Sequence, residues 1–302
     1  MTKQGLERAA VGLVVFALAL TSCGGGAETA APKLTNTLTI TGSEYKFELD
    51  KTSIDDGTAQ VTFKNAGTED HVAGWERLKA GTTFETFREA LRKDFESALG
   101  FKDGSPGLVE KEDSRNGSPG ILSPGVQNTI TTNLLNAGTY ALLCYLPTPD
   151  GPHLAKGMVA GLEVKAAPTP APTPFDVKTD GEVTLTEYSF GSLPTALTKG
   201  KGTIKFTNRG KEAHEAVLVR FEPGKTFKDA DDYFKAFETP PPPTGPQPVA
   251  FMGGFFSIAP GASVWVTIGL PPGTYGLACD EETEAHKKHG EDLGMRMTFK
   301  VA

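Results

Sequence analysis

Four residues of three types recur in the same order in two parts of this 302-residue sequence, and together they could hold a soft metal ion. The first set is His71, Cys144, His153 and Met158; the second is His214, Cys279, either His286 or His289, and Met295. Two imidazoles, a thiolate and a weak axial thioether form the ligand set of a type 1 copper site. The thiolate would bond covalently to copper, and the distant thioether would tune the redox potential. Each residue alone has a plainer use. A lone cysteine in a strand is a small core hydrophobe, a histidine on a turn is solvated or hydrogen-bonded, and a methionine before a strand packs. The conjunction of all four, found twice, is what points to a metal.

Positioning these residues falls to a tandem repeat. Residues 44–84 align with 187–227 at a constant offset of 143. Tyr45, Phe47, Phe63, Asn65, Gly67, His71, Arg77, Gly81, Thr83 and Phe84 match Tyr188, Phe190, Phe206, Asn208, Gly210, His214, Arg220, Gly224, Thr226 and Phe227. Further on, Pro124-Gly125 answers Pro260-Gly261. Gly138-Thr139-Tyr140 with Cys144 answers Gly273-Thr274-Tyr275 with Cys279. Such agreement over a whole domain indicates duplication, not a short solenoid period. The predicted domains are 36–165 and 175–302, joined by the proline-rich linker 166–174, a semi-rigid spacer.

Apolar residues alternate with polar ones at Leu38 and Ile40, Val61 and Phe63, Val183 and Leu185, Ile204 and Phe206, and Val264, Val266 and Ile268. Period two with one apolar face means half-buried strands, and Pro-Gly and Gly-Thr punctuate them. One helix interrupts each repeat. Phe84, Phe87, Leu91 and Phe95 lie on one helical face, with Thr83 placed to cap it and Gly100 to end it. A shorter version carries Phe227, Phe234 and Phe237 and breaks at Pro240–Pro243. The fold class is therefore all-β: two tandem Greek-key sandwiches, each with a helical insertion.

At these motifs the sequence resembles the cupredoxin family of plastocyanin-like blue copper domains. Val61 to His71, with its Asn65-x-Gly67 turn, is similar to the strand and turn that lead to the first family ligand. Gly138 to Cys144 is similar to the strand that delivers the cysteine, and His153 to Met158 to the loop before the last strand. The resemblance implies that His71, Cys144, His153 and Met158 are copper ligands, with His214, Cys279, His289 and Met295 as their equivalents. His286 competes with His289. Eight residues separate Cys144 from His153, and nine separate Cys279 from His289, longer than in simple members. His153 is the expected route for electrons at the pole of the first sandwich. Alternatives are a metal-free cupredoxin-fold interaction module, or a disulfide between Cys144 and Cys279, which needs Cα atoms within about 7 Å.

The third cysteine has another role. Lys3 and Arg8 precede an apolar run, Ala9 to Leu20, and then Leu20-Thr21-Ser22-Cys23. This is an export-signal pattern, and its end resembles a bacterial lipobox. The expected organisation is a leader at 1–22, a lipid anchor on Cys23 and a flexible tether at 23–35, tying the protein to the membrane of the cell envelope. A net charge of −7 argues against nucleic acid as a partner and leaves a redox protein as the expected one. The five histidines exclude a trinuclear copper cluster beside two such sites, since no His-x-His pair occurs. The expected function is one-electron transfer, with no substrate transformed. Arg77 and Arg220, six residues after the first histidine of each repeat, read as members of an ion pair or as helix-loop anchors. The acidic stretch 280–292 reads as a solvated loop.

Overall fold

The computed structural model describes residues 35–96, 105–110, 115–167, 177–237 and 245–302. The leader, Cys23, the tether up to residue 34, linker residues 168–174, Gly100 and Pro240–Pro243 lie outside them. The first repeat contains β1 (Thr37–Ser43), β2 (Lys46–Leu49), β3 (Ser53–Asp55), β4 (Gly57–Asn65), β5 (Gly74–Arg77), α1 (Phe84–Glu96), β6 (Gln127–Leu135), β7 (Gly138–Leu143) and β8 (Val159–Lys165). The second contains β9 (Gly181–Thr186), β10 (Ser189–Phe190), α2 (Thr195–Thr198), β11 (Lys201–Asn208), β12 (His214–Phe221), α3 (Phe227–Phe237), β13 (Val249–Ile258), β14 (Ser263–Gly269), β15 (Gly273–Ala278) and β16 (Arg296–Val301).

The chain is all-β in architecture, and the alternating pattern decides which face each strand buries. Leu38 and Ile40 of β1, Val61 and Phe63 of β4, and Val264 and Val266 of β14 are buried, while their polar neighbours are more exposed. In α1, Phe87 and Leu91 are buried against the outer face of β7 and β8 with Leu78, Ala141 and Leu154. Thr83 Oγ1 accepts the Thr86 N–H at 3.1 Å, which caps the helix as its sequence predicts. Phe227 of α3 packs beside Phe221 in the matching place.

The two repeats do not stand apart as beads on a linker. The described residues of both repeats belong to one compact unit. One eight-stranded sheet runs β10-β9-β11-β14-β6-β4-β1-β2, so the halves join where β14 pairs antiparallel with β6. Ile130 sits opposite Val266 in that pairing. The other layer consists of the sheets β3-β8-β7-β5 and β13-β12-β15-β16. Between them the segment 116–122 runs along β13, bridging Asn116 to Ile258, Pro119 to Phe255 and Leu122 to Met252.

Ile130 and Val266, and Pro119 and Phe255, are separated by the same 136 residues that separate Pro124 from Pro260. Each of these residues therefore meets its own counterpart from the other repeat. Antiparallel pairing centred on equivalent positions is what a two-fold axis produces, so the repeats are related like the subunits of an isologous dimer. Their inner faces form one continuous apolar core that includes Leu38, Phe63, Ile130, Val183, Phe206 and Val266.

Among the described residues no helix is long and apolar enough to cross a membrane.

Candidate metal centres

The Asn-x-Gly turn places the first histidine of each repeat. Asn65 Nδ2 donates to the carbonyls of Glu69 at 2.7 Å and Leu122 at 2.8 Å, and its Oδ1 accepts the Gly67 N–H at 2.9 Å. Asn208 does the same with Glu212, Ile258 and Gly210. A Cβ at Gly67 or Gly210 would lie 2.8 Å from Nε2 of His71 or His214, so only glycine lets the turn close over the ring.

Cys144 follows β7, and its N–H donates to the Met158 carbonyl at 3.2 Å. His153 opens a 3₁₀ turn, His153–Lys156, which ends at Gly157 in the left-handed region, φ 103°. The Met158 N–H then returns to the His153 carbonyl at 3.1 Å. In the second repeat Cys279 N–H donates to the Met295 carbonyl at 3.2 Å, and Met295 N–H to the His289 carbonyl at 2.8 Å. Despite their length, both Cys–His loops fold back and deliver a histidine to the cysteine. Arg77 and Arg220 hold the start of the Cys-bearing strands, donating from Nη2 to the carbonyls of Ala137 at 2.7 Å and Pro272 at 3.0 Å. Tyr140 and Tyr275 donate their hydroxyls to Asn136 and Pro271 carbonyls, pinning the same turns.

The result is two matching clusters. In the first, His71 Nδ1 lies 3.1 Å from His153 Nδ1, and Cys144 Sγ lies 4.0 and 3.3 Å from these nitrogens. In the second, His214 and His289 Nδ1 are 3.2 Å apart, with Cys279 Sγ at 3.9 and 3.5 Å. Metal bonds of about 2.0 Å to nitrogen and 2.3 Å to sulfur, as borderline-soft ions make, put planar donors roughly 3.5 to 3.7 Å apart. Both trios bracket that spacing, so one ion fits each. Met158 is buried with Val72 and Cys144, and Met295 lies in the core with Cys279. His286 is not part of the second cluster: it is exposed, 3.6 Å from Glu282. Neither Cys144 nor Cys279 is in a disulfide.

Burial also sets the charge state. It lowers the pKa values of His71, His153 and His214, keeping these imidazoles neutral and able to coordinate. It pushes the Cys144 thiol up to about 11, and Cys279 higher still, where burial is joined by the neighbouring Glu215 carboxylate. A metal must displace those protons. Backbone N–H groups stand ready for the resulting thiolates, Val72 N lying 3.4 Å from Cys144 Sγ and Glu215 N 3.4 Å from Cys279 Sγ.

His153, the expected route for electrons, is 2% exposed and lies beneath a cover of neighbouring side chains. Its Nε2 lies 3.0 Å from Glu69 Oε2, and the Tyr45 ring stands edge-on to it at 5.0 Å. His289 has the same cover, Glu212 at 3.0 Å and Tyr188 at 5.1 Å. These glutamates escaped the sequence reading because a turn glutamate reads as a solvated charge. Their signal was present: Glu44, Glu69, Glu187 and Glu212 obey the offset of 143.

Each half therefore has the cupredoxin-like layout implied by its motifs, with a type 1 copper ligand set at one end of a β-sandwich. No family model matches the chain, and no curated protein matches it. Similar solved structures include the dithionite-reduced auracyanin of the photosynthetic bacterium Roseiflexus castenholzii, at 23% identity and a TM-score of 0.28. That match covers 45% of this chain and 100% of the other. Auracyanin A of Chloroflexus aurantiacus, described as a "blue" copper protein, is 19% identical with a TM-score of 0.25, covering 43% and 99%. A multicopper oxidase is 13% identical with a TM-score of 0.25, covering 88% of each chain. The chemistry of the sites is accordingly read from the ligand geometry.

Proposed function

We propose that this protein carries single electrons through two type 1 copper centres, held by His71, Cys144, His153 and Met158 and by His214, Cys279, His289 and Met295. The observation that supports this most directly is the convergence of two Nδ1 atoms and one Sγ in each repeat. Bound copper would supply a one-electron couple. The chain's part is to present two imidazoles and a buried sulfur at fixed spacing, so that little moves when the charge changes. Substrate conversion is not part of this reading: four of the five histidines lie in the two clusters, and His286 is on the surface. The anchor at Cys23 would tether the protein to the envelope membrane, and its partner would be a redox protein.

Loading the purified protein with copper(II) tests the reading. Wild type should retain two equivalents and show an intense blue sulfur-to-copper band. Cys144→Ser and Cys279→Ser should each retain one equivalent and lose part of the band. A colourless wild type that retains no copper would overturn it.

A further inference from the structure

We propose that Glu69 and Glu212 are positioning residues for the metal. Each takes the outer edge of the second imidazole in its cluster, so that Nδ1 faces the cysteine and donates more strongly. This inference rests on the two-copper reading for its effect on copper, but its geometry belongs to the protein itself.

Two carboxylates approach the histidines of each centre, and they do different work. Glu44 spends Oε1 on the backbone N–H groups of Thr68 and Glu69 and on the Thr68 hydroxyl, and stays 3.7 Å from His71 Nε2. It shapes the turn. Glu69 instead accepts the Tyr45 hydroxyl on Oε1 at 3.2 Å, while its buried Oε2 has no hydrogen-bond partner and lies 3.0 Å from His153 Nε2. In the second repeat the orphan is on the other side. His289 Nε2 is buried without a partner, 3.0 Å from Glu212 Oε2, which accepts the Tyr188 hydroxyl at 3.3 Å.

A buried polar atom left unpaired is costly. One tautomer puts a donor beside the carboxylate in both repeats: a proton on Nε2 of His153 and His289 stands 3.0 Å from Glu69 and Glu212 Oε2, and Nδ1 is left free for the metal. A carboxylate behind a ligand imidazole fixes its orientation and raises its basicity, which favours the more highly charged copper(II). The two repeats supply a built-in comparison. Lys156 donates to the Tyr45 hydroxyl at 3.2 Å in the first, whereas the one-residue-longer loop of the second carries no lysine between His289 and Met295.

The test uses the full chain with Glu69→Gln, Glu212→Gln and the milder Tyr45→Phe. In the metal-free protein, imidazole nitrogen NMR should find His153 and His289 as Nε2–H tautomers in wild type. Glu69→Gln should shift His153 alone toward a mixture, and Glu212→Gln should shift His289 alone. With copper(II), each Gln variant should bind roughly 10–100-fold more weakly at its own centre and raise that centre's reduction potential, with a smaller change of the same sign in Tyr45→Phe. Unchanged tautomers with unchanged affinity and potential would overturn the proposal. If wild type takes no copper, the two-copper reading fails and the tautomers alone decide this one: the shifts support it, their absence overturns it.

Discussion

At the scale of single residues, the two centres differ in what surrounds identical ligands. The N–H that faces sulfur comes from Val72 in one repeat and Glu215 in the other, and a main-chain donor leaves the side chain free to vary. Glu76 is another divergent position, matched by the buried Val219. Its Oε2 is buried without a hydrogen bond, and burial pushes its pKa up to about 7. A carboxyl whose pKa is raised by folding holds its proton longer in the folded state, so stability falls as pH rises from the ordinary carboxylate range through about 7. Glu76→Gln should therefore match wild type near pH 4 and exceed it at pH 8 by on the order of 2 kcal/mol. Urea denaturation at the two pH values measures this; equal stability at pH 8 would show that the charge is not buried at a cost.

At the scale of elements, ligand placement depends on hydrogen bonds that close loops and on strands that bend. β13 breaks register against β12 between Leu218 and Val219, and Gly253 and Gly254 there have φ of 101° and 89°. This bulge lets β13 follow β12 on one side and the 116–122 segment on the other. A Cβ at Gly254 would overlap the Ala216 carbonyl, whereas one at Gly224, φ 80°, would meet nothing. Gly224→Ala should cost about 1–2 kcal/mol for the left-handed backbone alone. Gly254→Ala carries the same strain plus the clash and should cost clearly more, roughly 3 kcal/mol or above. Comparing the two variants by urea denaturation isolates the clash.

At the scale of the whole molecule, the pseudo-two-fold seam makes the repeats one cooperative body. The eight-stranded sheet runs across it, bridges from the 116–122 segment cross it in the other layer, and Ile130 and Val266 meet within a shared core. Side chains cross the boundary too: Gln247 Nε2 donates to Asp70 Oδ2 at 3.0 Å, and Phe256 packs against Val72, Cys144 and Met158. Thermal unfolding of the metal-free chain should show a single transition. A Cys279→Ser protein carrying copper only in the first centre should shift that one transition upward, because a ligand of the folded state stabilises everything that unfolds with it. Two transitions, with only one responding to copper, would mean that the repeats fold independently.

Much of this arrangement is written in local spacing. Alternation at Leu38 and Ile40 or Val264 and Val266 specifies strands because side chains on a strand point to opposite faces. The Phe84–Phe95 stripe specifies a helix for the corresponding reason. The ligand types and the duplication can be read directly, since chemistry and repetition are properties of the residues themselves. The choice of His289 over His286 cannot be read that way. It follows from the Met295 N–H reaching the His289 carbonyl across a folded loop. The seam is equally hidden, because β6 and β14 join through N–H and C=O groups that every strand edge carries, whatever its side chains. Only when both sheets close over a shared core does one pairing win. That closure turns two metal-ligand motifs on one chain into two buried centres within a single body.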